Sequence, residues 1–470
     1  MIHESFTTLA TAAHGKILRG KPDLVINGHF TDTREPVRGG LYVALRGERF
    51  DGNMFAREAV EQYGAAAVLV DREQAANELP DYVSTILVDD AREGYLGIAA
   101  VHRQRLTNCL WLGVTGSVGK STTKEMLAHV LAISKPRRRV HKAKGSFNNA
   151  VGLAKTILET DVDVGAAVLE LGTNHPGEIA QLASVARPQI AVITRAAESH
   201  LEAFETVENV AREKAAILKF QEFDDTAVLN ADDQYFDLWQ REAPGRVICF
   251  GLAENADVRA TKIILDGSSC ARFVVSYKPT GEIAVCALRV PGVHQVSNAL
   301  AAIGAALAAN VSLEEAAASI GTFAGIERRF TIHYAGGVTV IDDAYNANPA
   351  SFSAALSTLA ALRAQSRYVV AGGMLELGAQ SEARHRDIGA ALAQLNLSGL
   401  LVVGELAAAI GTGAQAAGML SSRVSYCATP EDAAVALGGI LRAGDAVLVK
   451  GSHGIQLERC IKPLLKKLGR

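Results

Sequence analysis

Cysteine is scarce in this chain. The 470 residues contain six, at Cys109, Cys249, Cys270, Cys286, Cys427 and Cys460, and no two form a CxxC pair. That scatter argues against a disulfide framework and a cysteine zinc site, and it fits a reducing cytoplasm. Long apolar runs are missing too, since no segment approaches the roughly 18 apolar residues of a membrane span. The opening stretch MIHESFTTLATAAHGKILRG lacks the apolar core of a signal peptide. A cytoplasmic location is therefore expected. Strong charge of either sign is absent. A formal net charge of −3 gives no general attraction to nucleic acid or anionic membrane. There is no low-complexity segment and no short-period repeat.

What is present is an ordinary globular balance, with 49% hydrophobic and 21% charged residues. The length predicts about three domains. Residues 1–107 give short strand and turn signals, such as GLYVALRGERFDG and AAAVLV. Residues 108–330 begin as alternating strands and helices: LWLGV, AAVLEL and IAVIT read as buried strands, and STTKEMLAHVLAI as a helix. From VICFG to CALRV, β-rich runs lie close together, which predicts antiparallel hairpins added to a mostly parallel sheet. Residues 331–470 alternate again through VTVID, YVVAGG, LLVVG and AVLVKG, as in a doubly wound, Rossmann-like domain. The basic run PRRRVHKAK (136–144) reads either as a solvated loop or as the lining of a phosphate-bearing cleft.

The stretch GVTGSVGKSTTKEM carries the chemistry. It misses the common phosphate-loop spacing, because Val114 stands where a glycine six residues before the lysine is usual. The shorter cradle Gly116-x-x-Gly119-Lys120-Ser121 remains. Its glycines allow a tight backbone near an anion. The helix that follows turns its free amides toward the same anion. Lys120 supplies charge for the terminal phosphates, and Ser121 a hydroxyl suited to Mg²⁺. This predicts an ATP or GTP site at the end of a strand.

At this point the sequence resembles the Mur ligase family, which joins amino acids or peptides to a nucleotide-sugar carboxylate. Within it the resemblance is to the MurF type, which adds D-alanyl-D-alanine to UDP-N-acetylmuramoyl-tripeptide. The similar strings are TDTREPVRGGLYVALRGERFDGNMF, TGSVGKSTTKEM, LELGTNHPGEI, ESHLEAF, IDDAYNANPASF, GGMLELGAQSEARH and VLVKGSHG, in the family's order. The resemblance implies an α/β chain of three domains. These are a small UDP-binding domain (1–107), a central ATP-binding domain (108–330), and a C-terminal domain (331–470) that binds ATP and the incoming dipeptide. It implies ATP and Mg²⁺ as cofactors, an acyl-phosphate intermediate, and a role in peptidoglycan precursor synthesis. The chain is expected to work as a monomer, without a nucleic-acid partner.

Individual residues inherit roles through these strings. The resemblance extends nucleotide contacts from the glycine cradle to Thr115, Ser117 and Thr122. Glu170, at the end of AAVLEL, is a strand-end acid that either faces solvent or holds Mg²⁺ at the sheet edge. The resemblance implies the second role, with His200 at a second Mg²⁺. Lys214 falls on the apolar stripe of Val207, Val210, Ile217 and Leu218 in TVENVAREKAAILKF, read as one helix. It is either a snorkelling lysine or one kept dry for function. The resemblance implies carbamylation there, with the carbamate a ligand of Mg²⁺. His294 and Asn298 match the family's adenine signature. Arg329 matches a γ-phosphate contact, Asp343 a ribose contact, and Tyr345 and Asn346 lie at the same junction. Thr33, Arg34 and Gly47 occupy UDP-binding positions, and Asn148 and Asn149 match a pair near the acceptor carboxylate. Lys450 is expected near the dipeptide or the phosphates.

Several positions depart from the family pattern. Arg195 stands for Asn, Ala215 and Ala216 for Gly and Glu, Gly373 for Asp, His453 for Arg, Arg328 for Gly and Ala154 for Pro. They leave two alternatives beside the ligase: a Mur-like ligase with another acceptor or amine, and a nucleotide-binding regulatory homologue with weakened catalysis. A simple phosphotransferase would not explain the UDP-type first domain.

Overall fold

Among the described residues three large sheets and a two-stranded ribbon of His3–Ser5 with Val25–Asn27 organise the chain. The structure, a computed structural model, describes residues 2–47, 49–135 and 137–469. The central sheet has nine strands. From one edge these are Glu282–Pro291, Cys270–Tyr277, Val258–Leu265, Arg246–Gly251, Thr226–Asn230, Ile190–Ile193, Leu110–Thr115, Ala166–Glu170 and Val140–Lys142. The strands from Val258–Leu265 to Val140–Lys142 pair in parallel.

Those middle strands are buried on both faces, which is why they read as unbroken apolar runs. Successive side chains point to opposite faces and feed two cores. Trp111, Leu169, Ala191 and Leu229 join one. Leu112, Val114, Val168 and Val192 join the other, against the helices Lys120–Ile133 and His294–Ala308. The first core is continuous with Phe6, Leu9, Leu41 and Tyr95 of the N-terminal segment. The helix Ala91–Arg105 packs between the two regions and ties them together.

The antiparallel addition begins later than the sequence predicted. Arg246–Gly251, which contains VICFG, is still a parallel strand. A helix, Phe236–Glu242, crosses over before it. Only Val258–Leu265, Cys270–Tyr277 and Glu282–Pro291 form the meander. Their burial alternates, as a sheet with one wet face requires. The segment read as one long helix is also divided: Val207–Ala215 is α-helical, and Ala216–Phe220 tightens to a 3₁₀ helix.

The N-terminal sheet has five strands, in the order Lys16–Arg19, Ser84–Leu87, Ala67–Val70, Leu41–Val43 and His29–Phe30. The C-terminal sheet has six: Thr331–Ala335, Val338–Asp343, Ala446–Lys450, Arg367–Gly372, Gly399–Val403 and Val424–Cys427. Only its first strand is antiparallel, so this is the doubly wound pattern expected.

Most of the basic run is a solvated edge, although Arg138 is half-buried and donates to Ala309 O at 2.8 Å. Arg139 pairs with Asp161 and Asp163, Lys142 with Glu125, and Lys144 with Glu159. Pro136 lies outside the described residues. Charged side chains on an edge strand also discourage pairing with other chains.

Gly97 shows how tightly the helix Ala91–Arg105 is seated. A Cβ there would stand 2.1 Å from the Ala12 carbonyl oxygen, a backbone atom that cannot swing away. Gly97→Ala should therefore lower the midpoint of urea unfolding, at a cost of about 1–3 kcal/mol.

Candidate active site

The strand Leu110–Thr115 ends at the centre of the nine-stranded sheet, and the chain turns sharply into the helix Lys120–Ile133. Two glycines make that turn. Gly116 has φ 144° and Gly119 has φ 87°, values that side-chain-bearing residues rarely adopt. Each is also a close approach. A Cβ on Gly116 would lie 2.0 Å from Thr194 Oγ1, and one on Gly119 2.3 Å from Asn298 Oδ1. Thr194 Oγ1 donates to the Val118 carbonyl at 2.6 Å and braces the loop from the neighbouring strand. Ser117 N donates to Arg195 O at 2.7 Å, and Ser199 Oγ donates to Ser117 Oγ at 2.9 Å. Thr115 is spent structurally, since its hydroxyl donates to Leu171 O at 2.8 Å.

Beside the loop lies a dry group of charges. Lys120 Nζ folds back on the Gly116 carbonyl at 2.5 Å. Its pKa is lowered by burial and by Arg329, against the pull of Glu170. Lys214 is 1% exposed, so it does not snorkel. Among the described residues no hydrogen bond or ion pair engages its amine. Burial, and then the nearby Lys120 charge, push its pKa well below the ordinary lysine value. Trp239 Nε1 donates to Ala211 O at 3.0 Å and secures the helix that carries it.

Glu170 is buried at the end of its strand. Its Oε1 accepts from Asn148 Nδ2 at 3.0 Å, and its Oε2 has no hydrogen-bond partner. Ser121 Oγ is likewise buried and unpartnered. Two oxygens without hydrogen-bond partners beside the glycine loop, one of them in loose ion-pair reach of Lys124, fit Mg²⁺, which takes few protein ligands and completes its shell with phosphate and water.

A cleft opens from the loop toward the C-terminal sheet. Gly119, Thr122, Thr194, His294 and Asn298 line it from one domain, and Asp343, Tyr345, Asn346 and Lys450 from the other. Asn298 Nδ2 donates to Gln295 Oε1 at 2.8 Å, which sets the amide's orientation. His294 Nδ1 is buried without a partner, and burial pulls its pKa down to about 4. The Arg329 guanidinium stacks 4.3 Å from the Tyr345 ring centroid. Lys450 Nζ is pinned by Asp343 Oδ2 at 2.6 Å and by Asn346 O at 3.0 Å. Lys450 thus lines the cleft between the two sheets.

The remaining candidates lie elsewhere. Asn149 is taken up as a helix cap, its Oδ1 accepting from Gly152 N at 2.9 Å. Thr33, Arg34 and Gly47 sit on loops of the N-terminal sheet, Arg34 paired with Asp32. That loop reaches the central domain through Glu35 and Lys155, 3.0 Å apart, on the helix that Asn149 caps. Sequence reasoning missed Lys124. It is fully buried, and its amine donates to Ala143 O at 2.8 Å and Gly145 O at 2.7 Å. It also lies 3.7 Å from Glu170 Oε2. The signal was available, because Lys124 faces inward on its helix as Lys214 does.

The Mur ligase middle domain matches residues 114–306, and the Mur ligase glutamate ligase domain residues 328–453. A UDP-N-acetylmuramoyl-tripeptide–D-alanyl-D-alanine ligase of Synechocystis is 35% identical, covering 94% of this chain and 93% of its own. The Escherichia coli protein of the same name is 34% identical, covering 99% of both. This chain belongs to the Mur ligase family. Its fold matches MurF of Acinetobacter baumannii with a TM-score of 0.89 at 28% identity, over 99% of both chains. It also matches MurF of Thermotoga maritima in complex with ADP, with a TM-score of 0.82 at 26% identity, over 95% of this chain and 99% of that one.

Several departures from the Mur ligase pattern now have physical explanations. Arg328 has φ 61°, a left-handed conformation in which glycine is the easy choice. Its pairing with Glu458 at 3.0 Å helps hold it there. A Cβ at Gly373 would meet Leu406 Cδ2 at 2.8 Å, so Leu406 fills the space an aspartate would need. His453 stacks on Tyr345, with centroids 5.6 Å apart and planes at 12°. Arg195 is exposed on the wall of this cleft. Ala154, Ala215 and Ala216 are buried, and nothing in the structure explains why these residues are alanine.

Gly119→Ala should force Asn298 aside and strain the turn, lowering ADP affinity at least about tenfold in calorimetry (~1.4 kcal/mol). His294 gives a pH prediction. Its folded-state pKa is about 4 against the ordinary 6.5. The neutral ring's contribution is complete above pH 6.5 and is lost as pH falls toward 4. His294→Gln should therefore remove up to roughly 3 kcal/mol of acid-dependent destabilisation across that window, read from urea melts at each pH.

Proposed function

We propose that this Mur ligase is the ATP-dependent enzyme that joins D-alanyl-D-alanine to UDP-N-acetylmuramoyl-tripeptide in peptidoglycan precursor synthesis. The observation that carries the reading is the cleft itself. The glycine loop, with Gly119, Thr122, His294 and Asn298 beside it, faces Asp343, Tyr345 and Lys450 of a second doubly wound domain, in a chain similar to MurF proteins over nearly its full length.

A carboxylate does not accept an amine directly, because its oxygen is a poor leaving group. The tripeptide carboxylate attacks the γ-phosphorus of ATP, which gives ADP and an acyl phosphate. The dipeptide amine then adds to the acyl carbon, and the tetrahedral intermediate expels phosphate. Mg²⁺ bound near Ser121 and Glu170 would neutralise phosphate charge. Lys120 leaves the Gly116 carbonyl for the phosphate chain, and Arg329 approaches from the domain junction. His294 and Asn298 bind the base side, with Asp343 at the ribose. Asn148 orients a carboxylate without opposing its reaction by charge. Thr33, Arg34 and Gly47 anchor the uridine end, remote from the chemistry. The dry walls protect the acyl phosphate from water.

Lys214 fits a further step in assembling the site. A neutral amine, not an ammonium, reacts with carbon dioxide, and burial beside Lys120 favours the neutral form. The carbamate formed would carry negative charge toward Mg²⁺, with His200 at the second ion.

Purified protein should release phosphate from ATP only when both UDP-N-acetylmuramoyl-tripeptide and D-alanyl-D-alanine are present. Heavy oxygen placed in the tripeptide carboxylate should emerge in that phosphate. Lys120→Ala should lower turnover by on the order of 10²–10³-fold or more. Nucleotide binding without turnover would favour the regulatory homologue, and turnover with other amines a ligase of different selectivity.

A further inference from the structure

The string GGMLELGAQSEARH has so far received no role, yet the structure gives it a specific build. Met374 N donates to His385 Nε2 at 2.8 Å. The fully buried His385 donates from Nδ1 to Ser381 O at 2.6 Å, so the ring hydrogen sits on Nδ1. Leu375 N donates to Ser452 Oγ at 3.0 Å, and Ser452 N to Gly373 O at 3.0 Å. The loop is thereby fixed to the C-terminal sheet. Glu376 at φ 63° and Gly378 at φ 56° then turn it outward.

It turns onto the central domain at the segment that carries His200. The Glu376 carboxylate meets His200 Nδ1 in a close contact that falls short of an aligned hydrogen bond. Arg384 Nη2 donates to Glu198 Oε1 at 2.5 Å. Between them the backbones touch, since a Cβ on Gly378 would stand 3.2 Å from Glu202 Cα. His200 itself has φ 53° and begins the short helix Leu201–Phe204. On its other side the segment is tied to the phosphate loop through Ser199 and Ser117. The C-terminal domain thus grips this segment on both sides of His200.

We propose that Glu376 is a positioning residue for His200. By engaging Nδ1, its carboxylate orients the imidazole and leaves Nε2 as the free ring nitrogen for a divalent ion. A carboxylate behind a histidine ligand commonly fixes both tautomer and ring direction. Here the two residues come from different domains. The His200 side of the site is therefore complete only when the C-terminal domain is docked, which couples closure to chemistry and holds off futile attack by water on ATP. The role given to His200 rests on the ligase reading above. The grip on its segment rests on the contacts alone.

Glu376 is half exposed, so its replacement should leave the fold intact. Glu376→Gln and Arg384→Ala are to be measured in the full-length chain. Glu376→Gln should reduce kcat about 10- to 100-fold and raise the Mg²⁺ concentration for half-maximal rate. The KM for ATP should stay within about twofold, because the nucleotide cleft is untouched. Amide hydrogen exchange across residues 198–204 should quicken in both variants, with or without ADP. Parental kcat and Mg²⁺ requirement in Glu376→Gln would overturn the proposal, as would unchanged exchange in that segment. The exchange readout does not depend on turnover. A failure of the ligase assignment would show in the parent protein and stay separate from this result.

Discussion

Positive charge held in a dry pocket is the constraint from which the rest of this site follows. Lys124 and Lys214 are buried near the phosphate loop, and Lys120 and Arg329 stand within electrostatic reach. Burying an ammonium is costly unless it is paired or neutralised. Lys124 meets that cost with two carbonyls and two carboxylates. Lys214 has no such partners among the described residues, and burial pushes its pKa well below the ordinary lysine value. Lys120 borrows a carbonyl of its own loop. The pocket is set for a polyanion, and the Ser121 hydroxyl and Glu170 Oε2, both without hydrogen-bond partners, mark where a cation would join it in place of the 3.7 Å contact from Lys124.

The fold serves this pocket by bringing strand ends together. In open parallel sheets, ligands bind where strands end and helices begin. Gly119 ends one such turn, and Glu170 ends the neighbouring strand. Asp343 and Lys450 end adjacent strands of the second sheet and face the same cleft. The reaction needs two chemistries in sequence, phosphoryl transfer and amine attack. A cleft between two sheets lets each domain contribute groups to both.

Much of this was legible in the chain. The parallel strands announce themselves because burial on both faces leaves no room for polar alternation. Gly116, Gly119 and Lys120 are readable because a tight anion-binding turn demands those residue types at that spacing. The start of the meander was misjudged, since VICFG carries the same β-rich texture as the hairpins after it. Its parallel pairing depends on the crossover through Phe236–Glu242. Asn148 and Asn149 look alike in sequence, yet one supports Glu170 and the other caps a helix.

By itself the sequence determined the alternation of elements, the phosphate loop and the residues that could carry charge. These are local properties, set by period, turn chemistry and side-chain type over a few residues. Tertiary structure decided which lysines are dry, which oxygens lack partners, and that Glu376 of one domain meets His200 of another. Burial and pairing arise between segments distant in the chain, and they set the protonation and orientation on which the chemistry depends.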